Sequence, residues 1–190
     1  MKVPKNMAQE EYGYELKIPR ERIAVLIGKK GETKKRIEEE TKTNVEINSD
    51  EGEVSISGKD AINLYSAREV IKAIARGFNP DVALLLLKGD YCFEVIDVSS
   101  NARNKNDVLR LKGRVIGKEG KSRKLIEELT ETYISVYGKT ISIIGLPENA
   151  ANARRAMENL LAGSMHANVY KWLERRRREM NIKGMLERYG

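Results

Sequence analysis

The feature that most constrains this chain is that it repeats itself. Residues 27–47 read IGKKGETKKRIEEETKTNVEI and residues 116–136 read IGKEGKSRKLIEELTETYISV; at a constant offset of 89 they agree at 10 of 21 positions. Val45 and Ile47 also meet Ile134 and Val136. Each copy runs on into a second β-like segment, EVSISG or TISIIG, and ends in a helical stretch, residues 60–76 or 148–162. Agreement in one frame over this length marks two copies of one fold, so the architecture has to be built twice.

The order of elements follows from periodicity. In YGYELKIP the apolar positions Tyr14, Leu16 and Ile18 alternate, which predicts a strand. Pro19 opens a helix over RERIAVLI. Gly28 and Gly31 break it, and the charged segment ETKKRIEEE forms a second helix. Val45 and Ile47 alternate in a second strand, Val54 and Ile56 in a third, and a closing helix offers Ile62, Tyr65, Val70, Ile71 and Ile74 to the core. The unit is β-α-α-β-β-α. The second copy repeats it, with a strand at 91–98, a helix ending at Ile116, a helix over 121–131, two strands, and a helix from Pro147. Between the copies, Asn79-Pro80 and Gly89-Asp90 bound a short helix whose leucines read as an interdomain packing surface rather than a ligand site. The expected class is α+β, with limits 1–77, a linker helix 78–89, 90–164, and a helical extension 165–190.

Composition narrows the function. Hydrophobic residues, 41% of the chain, suffice for a core, while charged residues reach 33% against about 25% in ordinary domains. The net charge of +7 points to a polyanionic partner. It is uneven: residues 1–89 carry +1 and residues 90–190 carry +6. One cysteine, Cys92, excludes an internal disulfide and a cysteine zinc site, and its apolar run YCFEVIDV predicts a buried strand thiol. One histidine, His166, argues against zinc-hydrolase and Ser-His-Asp chemistry and reads as a surface or helix-start residue. No metal or cofactor is expected. The longest apolar run, Val82 to Leu87, falls far short of a membrane span. No signal peptide is visible, so a cytoplasmic protein without a membrane partner is expected.

Gly120-Lys121-Ser122 matches the end of a phosphate-binding P-loop, G-x-x-x-x-G-K-[ST]. The required first glycine is Val115, however, the preceding segment is helical, and the first copy has Gly31-Glu32-Thr33 where the lysine belongs. Nucleotide hydrolysis is therefore disfavoured, and ATPase activity is not expected.

IGKKG and IGKEG, each joining two helices and followed by TKTNVEI or TETYISV, resemble the G-x-x-G loop of KH domains, which bind RNA and single-stranded DNA. The closing helix at the C-terminal end of each copy is that of the eukaryotic-type, or type I, arrangement, so the resemblance implies two tandem type I KH domains followed by a basic C-terminal helix. In such a loop glycine lets a nucleic-acid backbone approach, and the next helix offers amides and a favourable dipole to phosphate. The resemblance places the RNA-binding residues at Gly28, Lys29, Lys30, Gly31 and Lys34 in the first copy. In the second they are Arg114, Gly117, Lys118, Glu119, Gly120, Lys121, Arg123 and Lys124. Bases would lie on Ile27, Val45 and Ile47, or on Ile116, Ile134 and Val136, which read equally as core aliphatics. A KH loop clamps about four nucleotides.

Three features depart from the plain pattern. Three residues after the second glycine, where KH domains usually carry an apolar side chain, stand Lys34 and Arg123. Either the helix is rotated or these cations face RNA. The second copy has a longer link after its first strand, SSNARNKNDVLRLKGRV, which reads either as a solvated loop or as an extra phosphate contact through Arg103, Lys105, Arg110, Lys112 and Arg114. The tail places Val169, Trp172 and Leu173 on one helical face, with Trp172 an anchor to the second domain. The run Arg175–Arg178 is either a solvated face or a phosphate or partner contact.

Two such domains with RVIGKEGKSRKLIEELT and a basic terminal helix resemble the archaeal members of the partner-of-Nob family, also called Dim-two. That resemblance implies binding of single-stranded RNA at the 3′ end of small-subunit rRNA during small-subunit maturation, beside a pre-rRNA nuclease and translation or ribosome-assembly proteins. Two other readings stay open: a tandem-KH binder associated with the exosome or with translational regulation, and a protein scaffold in which one KH copy is silent toward RNA.

Overall fold

The computed structural model describes residues 12–189, so the first eleven residues of the expected first domain lie outside it. The chain divides into two compact units, the first ending at Lys88 and the second beginning at Gly89. In the first, β1 (Tyr12–Lys17) is followed by α1 (Arg20–Ile27), α2 (Glu32–Thr41), β2 (Asn44–Asn48), β3 (Glu53–Gly58), α3 (Ala61–Ala75) and the short α4 (Pro80–Ala83). In the second the β-α-α-β-β-α order returns as β4 (Cys92–Asp97), α5 (Lys105–Ile116), α6 (Lys121–Thr130), β5 (Tyr133–Tyr137), β6 (Thr140–Gly145) and α7 (Pro147–Leu161), and α8 (His166–Tyr189) is added to it. Among the described residues no helix is long and apolar enough to cross a membrane.

Each unit is one three-stranded antiparallel sheet under helices, with strand order β1-β3-β2 and β4-β6-β5. The alternation read from the sequence sets the register: Leu16 and Ile47 both pair with Val54, and Tyr14 and Val45 with Ile56. Likewise Ile134 pairs with Ile143 and Val136 with Ile141. These positions face the helices. Val54, Ile56, Ile37 and Leu26 are fully enclosed in the first core, and Ile141, Ile143, Ile126 and Val115 in the second.

The helix-to-strand turn explains part of the repeat. Lys42 and Glu131 sit in the left-handed region at φ 52. Thr41 and Thr130 donate back to the carbonyls of Ile37 and Ile126 and share a second bond, 2.8 Å in each unit, with Thr43 and Thr132. A buried hydroxyl needs such partners. The central strand meets this turn without a side chain: a Cβ on Gly145 would stand 2.6 Å from Thr132 Cγ2.

The structure corrects two expectations, on α3 and at Cys92, and shows the short helix expected after Asn79. On α3 the enclosed positions are Leu64, Ala67, Val70, Ile71 and Ile74, joined near the C-terminal end by Ala73 and Ala75, whereas Ile62 and Tyr65 are 77% and 53% exposed. Positions 64, 67, 71 and 74 keep helical phase, and 62 and 65 fall on the opposite face. The segment after Asn79 is the single turn of α4 continued by a 3₁₀ turn at Leu84–Leu87, and it packs on α3 within the first unit. Cys92 is half-buried rather than enclosed, packed at the edge of the second core, and burial pushes its thiol pKa up.

The long link of the second copy is mostly structured. A 3₁₀ turn at Val98–Asn101 leads to α5, which has 12 residues against 8 in α1. Asn104 caps α5 by accepting from Asp107 N–H at 2.9 Å, and Asp107 accepts in return from Arg103 N–H at 3.1 Å. That reciprocal pair starts the helix a turn early.

Candidate nucleic-acid interface

Both glycine loops adopt one conformation. The amides of Gly28 and Gly117 still donate to helix carbonyls, Ala24 and Gly113, at 2.9 Å. The chain then reverses at φ 74, ψ 177 for Gly28 and φ 71, ψ 175 for Gly117, a region open essentially to glycine alone. A Cβ would lie 2.3 Å from Thr33 Oγ1 in the first loop and 2.6 Å from Ser122 Cβ in the second. Gly31 and Gly120 are left-handed at φ 81 and 76, and a Cβ on either meets nothing within 4 Å. The first glycine of each loop is thus demanded by the fold. The second adds open space where another backbone can approach.

Lys30 and Glu119 also adopt φ 56, which costs a non-glycine residue on the order of 1–2 kcal/mol. Gly31 and Gly120 precede α2 and α6 without any side-chain cap. The first amides, Glu32 and Lys121, donate to the Lys29 and Lys118 carbonyls; no side chain caps the turn, and the helix dipole favours an anion there. Lys29, Lys30, Lys118, Lys121 and Lys124 are exposed around the loops. Glu119 stands 3.6 Å from the Lys121 ammonium.

The aliphatic positions divide. Val45 and Ile134 are enclosed, 0% and 3% exposed. Ile27, Ile47, Ile116 and Val136 are half-buried and leave an apolar surface beside each loop. The two readings of these residues therefore hold for different members of the set.

Lys34 and Arg123 are turned toward the sheet edge. Arg123 Nη1 donates to both carboxylate oxygens of Glu127, at 2.9 and 3.0 Å, and to the Ile134 carbonyl at 2.9 Å; Glu127 in turn accepts the Ile134 N–H at 2.7 Å. In the first unit Glu38 accepts the Val45 N–H at 2.8 Å, with Lys34 at 3.8 Å. Because β2 and β5 are edge strands, these groups would otherwise be unpaired. Helix rotation is not needed to place these side chains, because the cation reaches its partner one turn on. Arg114 is likewise drawn away from the loop. Its guanidinium donates to the carbonyls of Leu160, at 2.8 Å, and Ser164, tying α5 to the end of α7. Arg22 does the same in the first unit toward Ile74 and Phe78.

The residues missed from sequence are Glu38 and Glu127, which seal the strand edges, and Arg22. Identity of the two glutamates between copies was the available signal. His166 begins α8 and its Nε2 lies 2.9 Å from the Arg114 carbonyl. Val169 and Leu173 bury α8 on the second core, with Trp172 partly packed there as expected.

This geometry has known counterparts. Residues 92–178 match the model of a eukaryotic-type KH domain (KH-domain type I), the second KH domain of the PNO1 proteins, and residues 13–73 match the general KH-domain model. A KH domain-containing protein of Methanocaldococcus jannaschii, MJ0443, is 49% identical over 179 residues, covering 92% of this chain and 78% of that protein. RNA-binding protein pno-1 of Caenorhabditis elegans is 33% identical over 119 residues, 60% of this chain but only 43% of that protein. A crystal structure of an a/eIF2alpha–aDim2p–rRNA complex from Pyrococcus horikoshii contains a chain with TM-score 0.83 and 43% identity, covering 89% of this chain and 96% of that one.

Proposed function

This chain belongs to the Dim2/PNO1 family of KH-domain proteins, and on that footing we propose that it binds the single-stranded 3′ end of small-subunit rRNA and helps position the nuclease that trims it. The observation that carries RNA binding is the loop: two backbone turns alike within a few degrees, each ending in an uncapped helix N-terminus beside exposed lysines. The choice of rRNA is supported by the likeness to a Dim2p chain crystallised with rRNA and a/eIF2alpha. A translation-factor partner is supported by the same likeness. The nuclease rests on the family resemblance alone. In this reading the protein supplies no chemistry of its own, and its partner cuts.

Within the site, Gly117, Lys118, Glu119, Gly120, Lys121 and Lys124 receive the phosphates, and Ile116 and Val136 carry bases. Gly28, Lys29, Lys30, Gly31, Ile27 and Ile47 offer the same surface in the first unit. The deciding experiment compares a 3′-terminal small-subunit rRNA oligonucleotide with a scrambled one at physiological salt, alongside crosslinking in cells. Preference for the terminal sequence, with crosslinks at the rRNA 3′ end, is expected. Equal affinities without such crosslinks would reduce the assignment to a general tandem-KH binder.

A further inference from the structure

We infer that the outer face of α8 is a second phosphate-binding surface, which takes the RNA strand beyond the nucleotides held by the second glycine loop. This rests on the RNA-binding reading of that loop. The four-arginine run does not act as one block. Arg176 donates to Glu179 at 2.9 Å and Arg177 stands 3.8 Å from Glu131 at the end of α6, so these two face the body of the unit. Arg175 and Arg178 instead line a groove of about 250 Å³ with Asn168, Lys171 and Trp172. Positions 168, 171, 172, 175 and 178 fall on one helical face, opposite the buried Val169 and Leu173.

The groove is strongly cationic. Arg155 of α7 lies over the Trp172 ring, 5.2 Å from its centre, and adds a fourth positive charge to Lys171, Arg175 and Arg178. Among the described residues Lys171 and Arg178 make no ion pair, and Arg175 has only a 3.9 Å approach from Glu179, which Arg176 shares. Glu174 lies one turn from both Lys171 and Arg178 without an ion pair to either, and cations spread over about 10 Å of helix suit a chain of phosphates better than a single anion.

The charge balance of the loops supports this assignment. Residues 28–32 and 117–121 each carry a net +1, so the loops do not account for the excess in the second half. Residues 166–190 carry seven Lys+Arg against three Asp+Glu, most of the +6. The surface is also within reach of the loop. α8 starts at the Arg114 carbonyl, three residues before Gly117, and packs along α6 to its end at Glu131. From Gly117 to Lys171 is then on the order of 10–15 Å along helices of known rise. Single-stranded RNA is preferred over an acidic protein as occupant because α8 begins, through His166, at the last turn of the helix that leads into the second glycine loop.

The test uses the full chain, a tetranucleotide that fills only the loop, and a longer single-stranded oligonucleotide of about twelve bases. Four phosphates give a log-log salt slope near −3, and three more give about −5, at about 0.7 per phosphate. The variant K171Q/R175Q/R178Q is expected to bind the longer RNA about tenfold more weakly near physiological salt, with a slope shallower by about 2 and an unchanged tetranucleotide affinity. The control R176Q/R177Q removes two charges from the same run and leaves the slope in place. Folding of each variant is checked by Trp172 fluorescence. Unchanged affinity and slope for the longer RNA, while loop variants still abolish binding, overturn the inference, spare the loop and give this face to an acidic protein. Equal losses for both RNAs, or from both variants, reduce it to a diffuse charge effect and overturn it as well. Absence of any RNA binding by the wild type removes both readings together.

Discussion

Replacing Gly117 and Gly120 one at a time by alanine separates what the loop does for the fold from what it does for a ligand. At Gly117 the backbone lies at φ 71, ψ 175, where a residue with a Cβ pays about 1–3 kcal/mol. The new methyl would also stand 2.6 Å from Ser122 Cβ and 2.9 Å from Ser122 N, and relieving such an overlap with rigid helix backbone costs about 1–3 kcal/mol more. Together G117A should lose about 2–6 kcal/mol. At Gly120 only the left-handed φ of 76 has to be met, with nothing near the Cβ, so G120A should lose about 1–2 kcal/mol. Trp172 is the only tryptophan and belongs to the second unit, so its fluorescence during urea unfolding reports that unit. With a urea dependence of about 1–3 kcal/mol per molar, G117A should move the midpoint down by about 2 M and G120A by less than about 1 M. RNA anisotropy should order them differently: folded G120A should lose affinity, because its methyl occupies the space left for a ligand backbone. Equal shifts in midpoint, or a G120A protein that binds RNA as well as wild type, would refute the argument.

Placing aspartates at Lys118 and Glu119 should weaken RNA binding at least about tenfold more than placing them at Lys29 and Lys30. The first change alters charge by only two units and the second by four, so a larger loss from the first loop would show that the units rank the other way; titration of one oligonucleotide against both variants decides it. E127A leaves the Ile134 N–H without its acceptor and should lower the urea midpoint by an amount equivalent to about 1–2 kcal/mol, while E127Q should recover part of it. Asp107 has its carboxyl pKa held below the usual range, first by the Arg103 N–H and then by the Arg110 guanidinium. A depressed carboxylate contributes stability above its unfolded pKa and loses it as pH falls through the folded one. D107N should therefore lower stability at neutral pH and flatten the acid limb below about pH 4, so that the two proteins converge at low pH, as acid titration followed by Trp172 fluorescence will show.

The fold was legible because the repeat sorts residues by constraint. Among the identities between copies, Gly28, Gly31, Gly117 and Gly120 set the turn, Ile37 and Ile126 fill the cores, and the threonine pairs close the helix-to-strand corner. Strand alternation then fixed the register, since a slip of one residue would turn Val54 and Ile56 outward. Helix phase was harder to read. Ile62 and Tyr65 looked like core because they are apolar, yet only the phase set by Leu64 and Ile71 decides which face is covered. The fate of charges was hardest. Lys34, Arg123 and Arg114 carry charge near the loop in sequence, but their partners are a carboxylate one turn on and carbonyls as far as 50 residues away. No local pattern encodes the second kind of partner.

The position of the cations then bears on how two nearly identical loops can differ in use. The turns match within a few degrees, both helix starts lack a side-chain cap, and the local charge is equal. A loop of this kind holds about four nucleotides, too few for a unique site on a long RNA. The second unit differs in carrying α8 after its closing helix: 24 residues, fixed at one end to the base of the loop through His166 and docked on the core by the buried Val169 and Leu173. Because these contacts fix the helix, its backbone is in place before RNA arrives and little backbone freedom remains to be lost on binding. An added phosphate surface on a rigid helix lengthens the bound strand and steepens the salt dependence without adding base contacts. Sequence preference would then come from the loop groove and overall affinity from α8, so the two properties should be separable by mutation.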